Sequence, residues 1–278
     1  MPKLAQRFAY LLVCVAAYST GCGATARITD PAASDKQYLL AADYFAKNMV
    51  EPATEELLKA LQLNPDNPDA HNLLGLISLR KASDVEELAT RDQCLKGEEL
   101  QLEKQEMDGH FKKAEEEFKK AVKLKPNFSD ALNNLAVVVL HFGRYDEAIQ
   151  LEQKALSNIV YREPYYAEGN LGLAYLSKND FARAAKTLRQ AIFEQPGFCV
   201  GRYRLAKVYY EEKEYDRAAE ELDKVTGDKA CPIQEAYLLA GMTALRRQDR
   251  QHATEMFQRC TRLAPKSCIA AECTLAAN

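Results

Sequence analysis

The chain has no tryptophan, and only four histidines, 12 glycines and 10 prolines in 278 residues. Each shortage excludes something. His71, His110, His141 and His252 are scattered, and none falls in HExxH or beside a cysteine at zinc spacing, so no metal centre is read from them. GxSxG and glycine-rich phosphate loops are both missing, which removes nucleophile-elbow hydrolases and P-loop enzymes. No cofactor, metal or small-molecule substrate is implied, and the expectation is a non-enzymatic protein. Positive charge is not in surplus either: 37 basic against 40 acidic residues leave a net charge of −3. Nucleic acid is therefore not an expected partner. Long apolar runs are also missing, since the longest, Phe8 to Tyr18, holds eleven residues where a bilayer span takes about 20.

What is present suits a folded, all-α chain: 47% hydrophobic and 28% charged residues. The organising stretch is Asn170 to Pro196, NLGLAYLSKNDFARAAKTLRQAIFEQP. Leu171, Gly172 and Tyr175 share one helical face, and Ala184, Leu188 and Ala191 share another about ten residues later. Small residues let two helices approach closely, while Tyr175, Phe181 and Leu188 fill the space beside them. Pro196 ends the second helix.

This pattern, L-G-x2-Y followed by A-x3-L-x2-A-x4-P, resembles the tetratricopeptide repeat (TPR), a helical hairpin of 34 residues. Counted at that period, repeats fall at 34–67, 68–128, 129–162, 165–198, 199–233 and 234–267, with a short C-terminal helix at 268–278. Their markers include Leu57 and Pro65; Gly75, Phe118 and Pro126; Leu135 and Tyr145; Leu205 and Leu222; Gly241, Phe257 and Pro265. Only Val160, in repeat three, stands where a stopping proline is expected, and Glu163 and Pro164 are extra. The expected fold is a right-handed superhelix of six hairpins over 35–278, stabilised mainly between neighbouring repeats.

Repeat two is 27 residues too long. The insertion, near 83–109, carries nine acids and three bases, with Val85, Leu88, Leu95 and Leu102 spaced by three and seven. That spacing suggests a protruding hairpin made by lengthening both helices, and a solvated acidic loop is the alternative.

Residues 1–21 differ from the rest. Lys3 and Arg7 precede the apolar run, and Ser19, Thr20 and Gly21 lead into Cys22, which reads as an export signal. The ending resembles the lipobox of bacterial lipoproteins, which implies cleavage before Cys22, acylation of that residue and a tether at 22–34. Ser19 stands where that family prefers Leu, and secretion with a free terminus is the alternative. Gly23, where an Asp would imply retention at the inner membrane, implies an outer-membrane protein facing the periplasm. Of the other cysteines, Cys94 lies alone in repeat two, while Cys199, Cys231, Cys260, Cys268 and Cys273 cluster in the last two repeats and tail, and in an oxidising compartment that cluster reads as disulfides. Cys199 with Cys231 is the first candidate, and Cys260 is expected to meet Cys268 or Cys273.

Concave positions carried over from the TPR class are Asn72, Leu76 and Leu79; Asn133, Val137, Leu140 and His141; Leu173 and Leu176; Tyr203, Lys207 and Tyr210. Such a groove suits an amphipathic helix or extended peptide. With its lipobox, repeat number and size, the chain resembles the pilotins of type IV pilus secretins, the PilF/PilW group and its social-gliding relative Tgl. The resemblance implies a protein that binds secretin subunits and promotes their insertion and multimerisation in the outer membrane. A general periplasmic scaffold for envelope assembly is the other reading.

Overall fold

A computed structural model describes residues 29–277. The expected signal, Cys22 and the tether up to residue 28 lie outside those residues. Among the described residues there is no strand, and the order is α1 Pro31–Ala46, α2 Val50–Leu63, α3 Pro68–Glu86, a π-helical stretch Glu87–Asp92, α4 Gly97–Leu124, α5 Ser129–His141, α6 Tyr145–Leu156, α7 Pro164–Ser177, α8 Phe181–Glu194, α9 Cys199–Glu211, α10 Tyr215–Gly227, α11 Gln234–Arg246, α12 Arg250–Leu263 and α13 Cys268–Ala276. Consecutive pairs from α1 to α12 make six hairpins, each packed on the next, with α13 against α11 and α12.

The hairpins close because side-chain volume is distributed as the repeat requires. A Cβ on Gly172 would stand 2.5 Å from Leu188 Cγ, and Gly75 and Gly241 are filled in the same way by the rings of Phe118 and Phe257. Leu57, Phe118, Leu188, Leu222 and Phe257 are essentially inaccessible at these contacts. Burying such a side chain contributes about 1.5–3 kcal/mol, so each hairpin carries its own small core and shares the rest with its neighbours.

Five hairpins turn by one device. Asn48, Gly143, Asn179, Lys213 and Gln248 take left-handed φ values of 58 to 71° just past the first helix. The next residue then donates back to a carbonyl of the last turn: Met49 to Tyr44, Arg144 to Val139, Asp180 to Tyr175, Glu214 to Tyr209 and Asp249 to Ala244, all at 2.8–2.9 Å. This bond satisfies a carbonyl that the helix end leaves unpaired. Asp180 and Asp249 also cap the second helices by accepting from the amides of Arg183 and His252.

Repeat two replaces that turn. α3 runs 19 residues and continues through the π-helical stretch, the chain reverses at residues 93–96, and α4 returns over 28 residues. The insertion is thus a hairpin of two lengthened helices, but its tip does not stand free. Cys94, at the tip, is bonded to Cys268 at the start of α13, with Cα atoms 4.7 Å apart. Cys199 bonds Cys231 and Cys260 bonds Cys273. The first of the three joins repeat two to the C-terminal helix that follows repeat six, and so closes a ring through repeats three to six.

Candidate partner-binding groove

The first helices α5, α7 and α9 bring apolar and polar groups onto one wall. Val137 and Leu140 of α5, Leu173 and Ser177 of α7, and Arg204 of α9 line a cavity of about 260 Å³ together with Phe111, His141, Tyr145 and Asn170. Four residues expected at concave positions, Val137, Leu140, His141 and Leu173, therefore meet at one place. Helical periodicity explains why: Val137 and Leu140 are three apart on α5, and Leu173 and Ser177 four apart on α7.

The other expected positions are used differently. Asn72 accepts from Asn134 at 3.1 Å, and Asn133 accepts from Asn170 at 3.0 Å, so both asparagines are spent on holding adjacent first helices in register. Leu176 is 7% exposed and belongs to the core. Leu76 and Leu79 are half-buried against the α3–α5 core. Tyr203 and Tyr210 pack against the C-terminal core while Lys207 is exposed, and burial pushes the Tyr203 hydroxyl up to about 12.

One end of the cavity is shaped by the inserted hairpin. The Phe111 ring of α4 stacks on His141 with centroids 3.7 Å apart and planes 11° from parallel, and His141 Nε2 lies 2.9 Å from Asp108 Oδ1. The sequence reading missed Phe111, Tyr145, Asn170, Ser177 and Arg204. Asn170 carried a usable signal, because it opens the stretch that organises the repeat pattern, but Phe111 lies beyond the point where repeat counting applies.

The polar side of the cavity continues inward. Arg204 Nη1 donates to Asn170 Oδ1 at 3.1 Å, extending the ladder Asn133–Asn170–Arg204 across three repeats. Behind it on α6, Glu152 is fully buried, and among the described residues neither carboxylate oxygen has a hydrogen-bond partner. Burial pushes that carboxyl well above the usual carboxylate range, against the opposing pull of Asn170 and Arg204. Burial likewise lowers the Arg204 guanidinium to about 10. An arginine that remains cationic, edged by Leu173, Val137 and Leu140, can hold an apolar side chain and a neighbouring acceptor of a bound segment together.

Tetratricopeptide repeat profiles match residues 108–164, 170–232 and 234–267, and a TPR repeat profile matches 42–81. The type IV pilus assembly protein PilF of Pseudomonas aeruginosa is 26% identical over 194 residues, which is 69% of this chain and 65% of PilF. The chain thus spans just under two thirds of that relative. Among solved structures, PilW, a widely conserved type IV pilus biogenesis factor, superposes with TM-score 0.69 at 21% identity, covering 86% of this chain and 97% of PilW. The Pseudomonas aeruginosa PilF structure gives 0.66 at 23%, over 88% and 97%. The Cut9–Hcn1 assembly of the APC/C also reaches 0.69, at 14% identity, over 89% of this chain and 43% of that one. Equal superposition on an unrelated assembly means that these structures establish the fold, while the pilus context comes from the sequence similarity. The chain belongs to the tetratricopeptide repeat family, and within it is similar to the type IV pilus protein PilF.

Proposed function

We propose that this protein is a pilotin: a non-enzymatic assembly factor, acylated at Cys22 and held on the periplasmic side of the outer membrane, that binds secretin subunits and promotes their insertion and multimerisation. The observation that carries the reading is the apolar, arginine-edged cavity of α5, α7 and α9 in a repeat array similar to PilF over 194 residues. TPR arrays are protein-interaction modules, and a concave wall with a few apolar anchors suits a short amphipathic segment. Anchoring would concentrate the groove at the inner leaflet, where it holds an apolar secretin segment until neighbouring subunits replace it.

The test compares outer-membrane fractions with and without the protein, following heat-resistant secretin multimers on gels. Loss of multimers while secretin monomer persists is expected. Normal multimers without the protein would transfer the reading to a general scaffold for envelope assembly.

A further inference from the structure

Antiparallel hairpins give the solenoid two edges of different chemistry. In repeats four and five the edge made by the turns inside hairpins is polar, with Lys178, Asn179 and Asp180 or Glu212, Lys213 and Glu214 at its tips, while repeats one and six expose Met49 and Leu245 there. The opposite edge, where second helices end and the next first helices begin, exposes large apolar side chains in repeats three to five: Ile159 at 98%, Phe193 at 81%, Val160 at 74%, Tyr166 at 44% and Val200 at 40%. Scattered exposed hydrophobics are ordinary, but five on one edge mark a contact surface. Phe198 ties them together, with its ring centroid 5.3 Å from that of Tyr165 and 5.9 Å from that of Tyr166. Lys125 and Arg162 sit beside Val160, with Asp130 and Glu163 in the same depression.

We infer that this edge rests in the interfacial layer of a lipid bilayer. The choice of a bilayer over a protein occupant follows from where the preceding chain enters. Asp30 donates its amide to the Leu63 carbonyl at 2.9 Å, which fixes the start of the described chain on this same edge. Cys22 is eight positions earlier in the sequence, within about 28 Å at full extension. An acyl anchor there would enter the membrane from the side of this edge, and the exposed apolar side chains favour this edge over the polar one as the face that rests on it. Aliphatic tips with tyrosines and flanking cations suit the headgroup boundary, where an apolar end and a wet end are both satisfied. The helices then stand on the membrane, with the groove opening sideways along it. The inference rests on the anchored reading above and adds an orientation to it.

The absence of tryptophan makes the test direct. The anchored full-length product would be purified in detergent as Val160→Trp and, separately, as Glu212→Trp on the opposite edge, and reconstituted into vesicles of phosphatidylethanolamine and phosphatidylglycerol. Emission from position 160 is expected to shift to the blue and to be quenched several-fold more by lipids brominated on their acyl chains than emission from position 212. The combined change Ile159→Ser and Phe193→Ser in the Val160→Trp protein should reduce that quenching, and both sites are exposed enough to leave folding intact. Vesicle-bound protein with equal or no quenching at the two positions overturns the edge and leaves the anchor standing. Failure to stay with the vesicles overturns both. A blue shift that appears without vesicles and grows with protein concentration assigns the edge to contacts between copies of this chain. Secretin is absent throughout, so none of these outcomes depends on its assembly.

Discussion

Cys94 and Cys268 are 174 positions apart in the chain and 4.7 Å apart at Cα, bonded through sulfur. Repeats normally speak only to their neighbours, so an array of six should open from either end independently. This bond couples repeat two to the terminal helix. Cys268→Ser should therefore release both partners at once, at a cost of about 2–5 kcal/mol. Hydrogen exchange is expected to speed up in residues 87–96 and in α13 while α5 to α8 stay protected. Unchanged exchange in α13 would mean that packing on α11 and α12 suffices.

Gly172 lies beneath Leu188, whose Cγ is 2.5 Å from where a Cβ would be. Leu188 is fully buried and has nowhere to retreat. Gly172→Ala should cost about 1–3 kcal/mol through overpacking, visible as a lower urea midpoint. Ala substitution at Gly109, which meets nothing within 4 Å, is the control and should leave the midpoint in place or raise it.

How much of this was legible follows from how local each signal is. The hairpins could be read because Gly172 and Leu188, or Gly241 and Phe257, lie 16 positions apart within one repeat and must be complementary in volume. Cys199 opens α9 of repeat five and Cys231 lies 32 positions on, in the loop just before α11 of repeat six, so their meeting follows closely from the period. The partner of Cys94 does not, because it depends on how far four intervening repeats curve. The concave positions were read one helix at a time, which finds Val137 and Leu173 but not the reach of Arg204 back to Asn170, nor Phe111 arriving from an insertion. Asn72 and Asn133 stand at groove positions, yet the neighbouring helix supplies Asn134 and Asn170 to occupy them.

Phe111 and Asp108 both hold His141, but they should not matter equally. Asp108 is about half exposed, and a polar contact in that setting, charged or not, contributes about 0–1 kcal/mol. Phe111 is 9% exposed and packs into the core around Phe118 and Val138, so Phe111→Ala should cost about 3–5 kcal/mol. Asp108→Asn is expected to leave thermal unfolding nearly unchanged. A large loss in Asp108→Asn would show that the contact to Asp108, rather than the stacked ring, sets the groove wall.

A bound segment that uses the cavity must contact Leu173 and Val137. If the proposed pilotin function holds, introducing charge there, as Leu173→Asp, should weaken capture of secretin by about 2 kcal/mol or more, the scale of an interface hot spot, while far-ultraviolet circular dichroism stays helical. Titrating purified secretin periplasmic domain with the two proteins measures it. Equal affinities would move the binding site off this wall.

Acid should strengthen this fold before it weakens it. Burial, with Glu194 nearby, raises the Glu168 carboxyl from 4.5 to about 7, and among the described residues one of its oxygens is buried without a hydrogen-bond partner. Glu152 is shifted in the same direction. A carboxyl with a raised pKa in the folded chain holds its proton more tightly there than when unfolded. Both states are protonated below 4.5, so no stability is lost there. As pH rises through about 4.5 to 7, the unfolded chain releases its proton first and stability falls. Glu115, Glu117 and Asp180 are lowered instead, and their contribution is lost only at more acid pH. The melting temperature should therefore drop between pH 5 and pH 8, and Glu168→Gln should flatten that slope and raise the value at pH 8. A variant that keeps the wild-type slope would remove Glu168 from the account and leave the buried Glu152 as the group to substitute next.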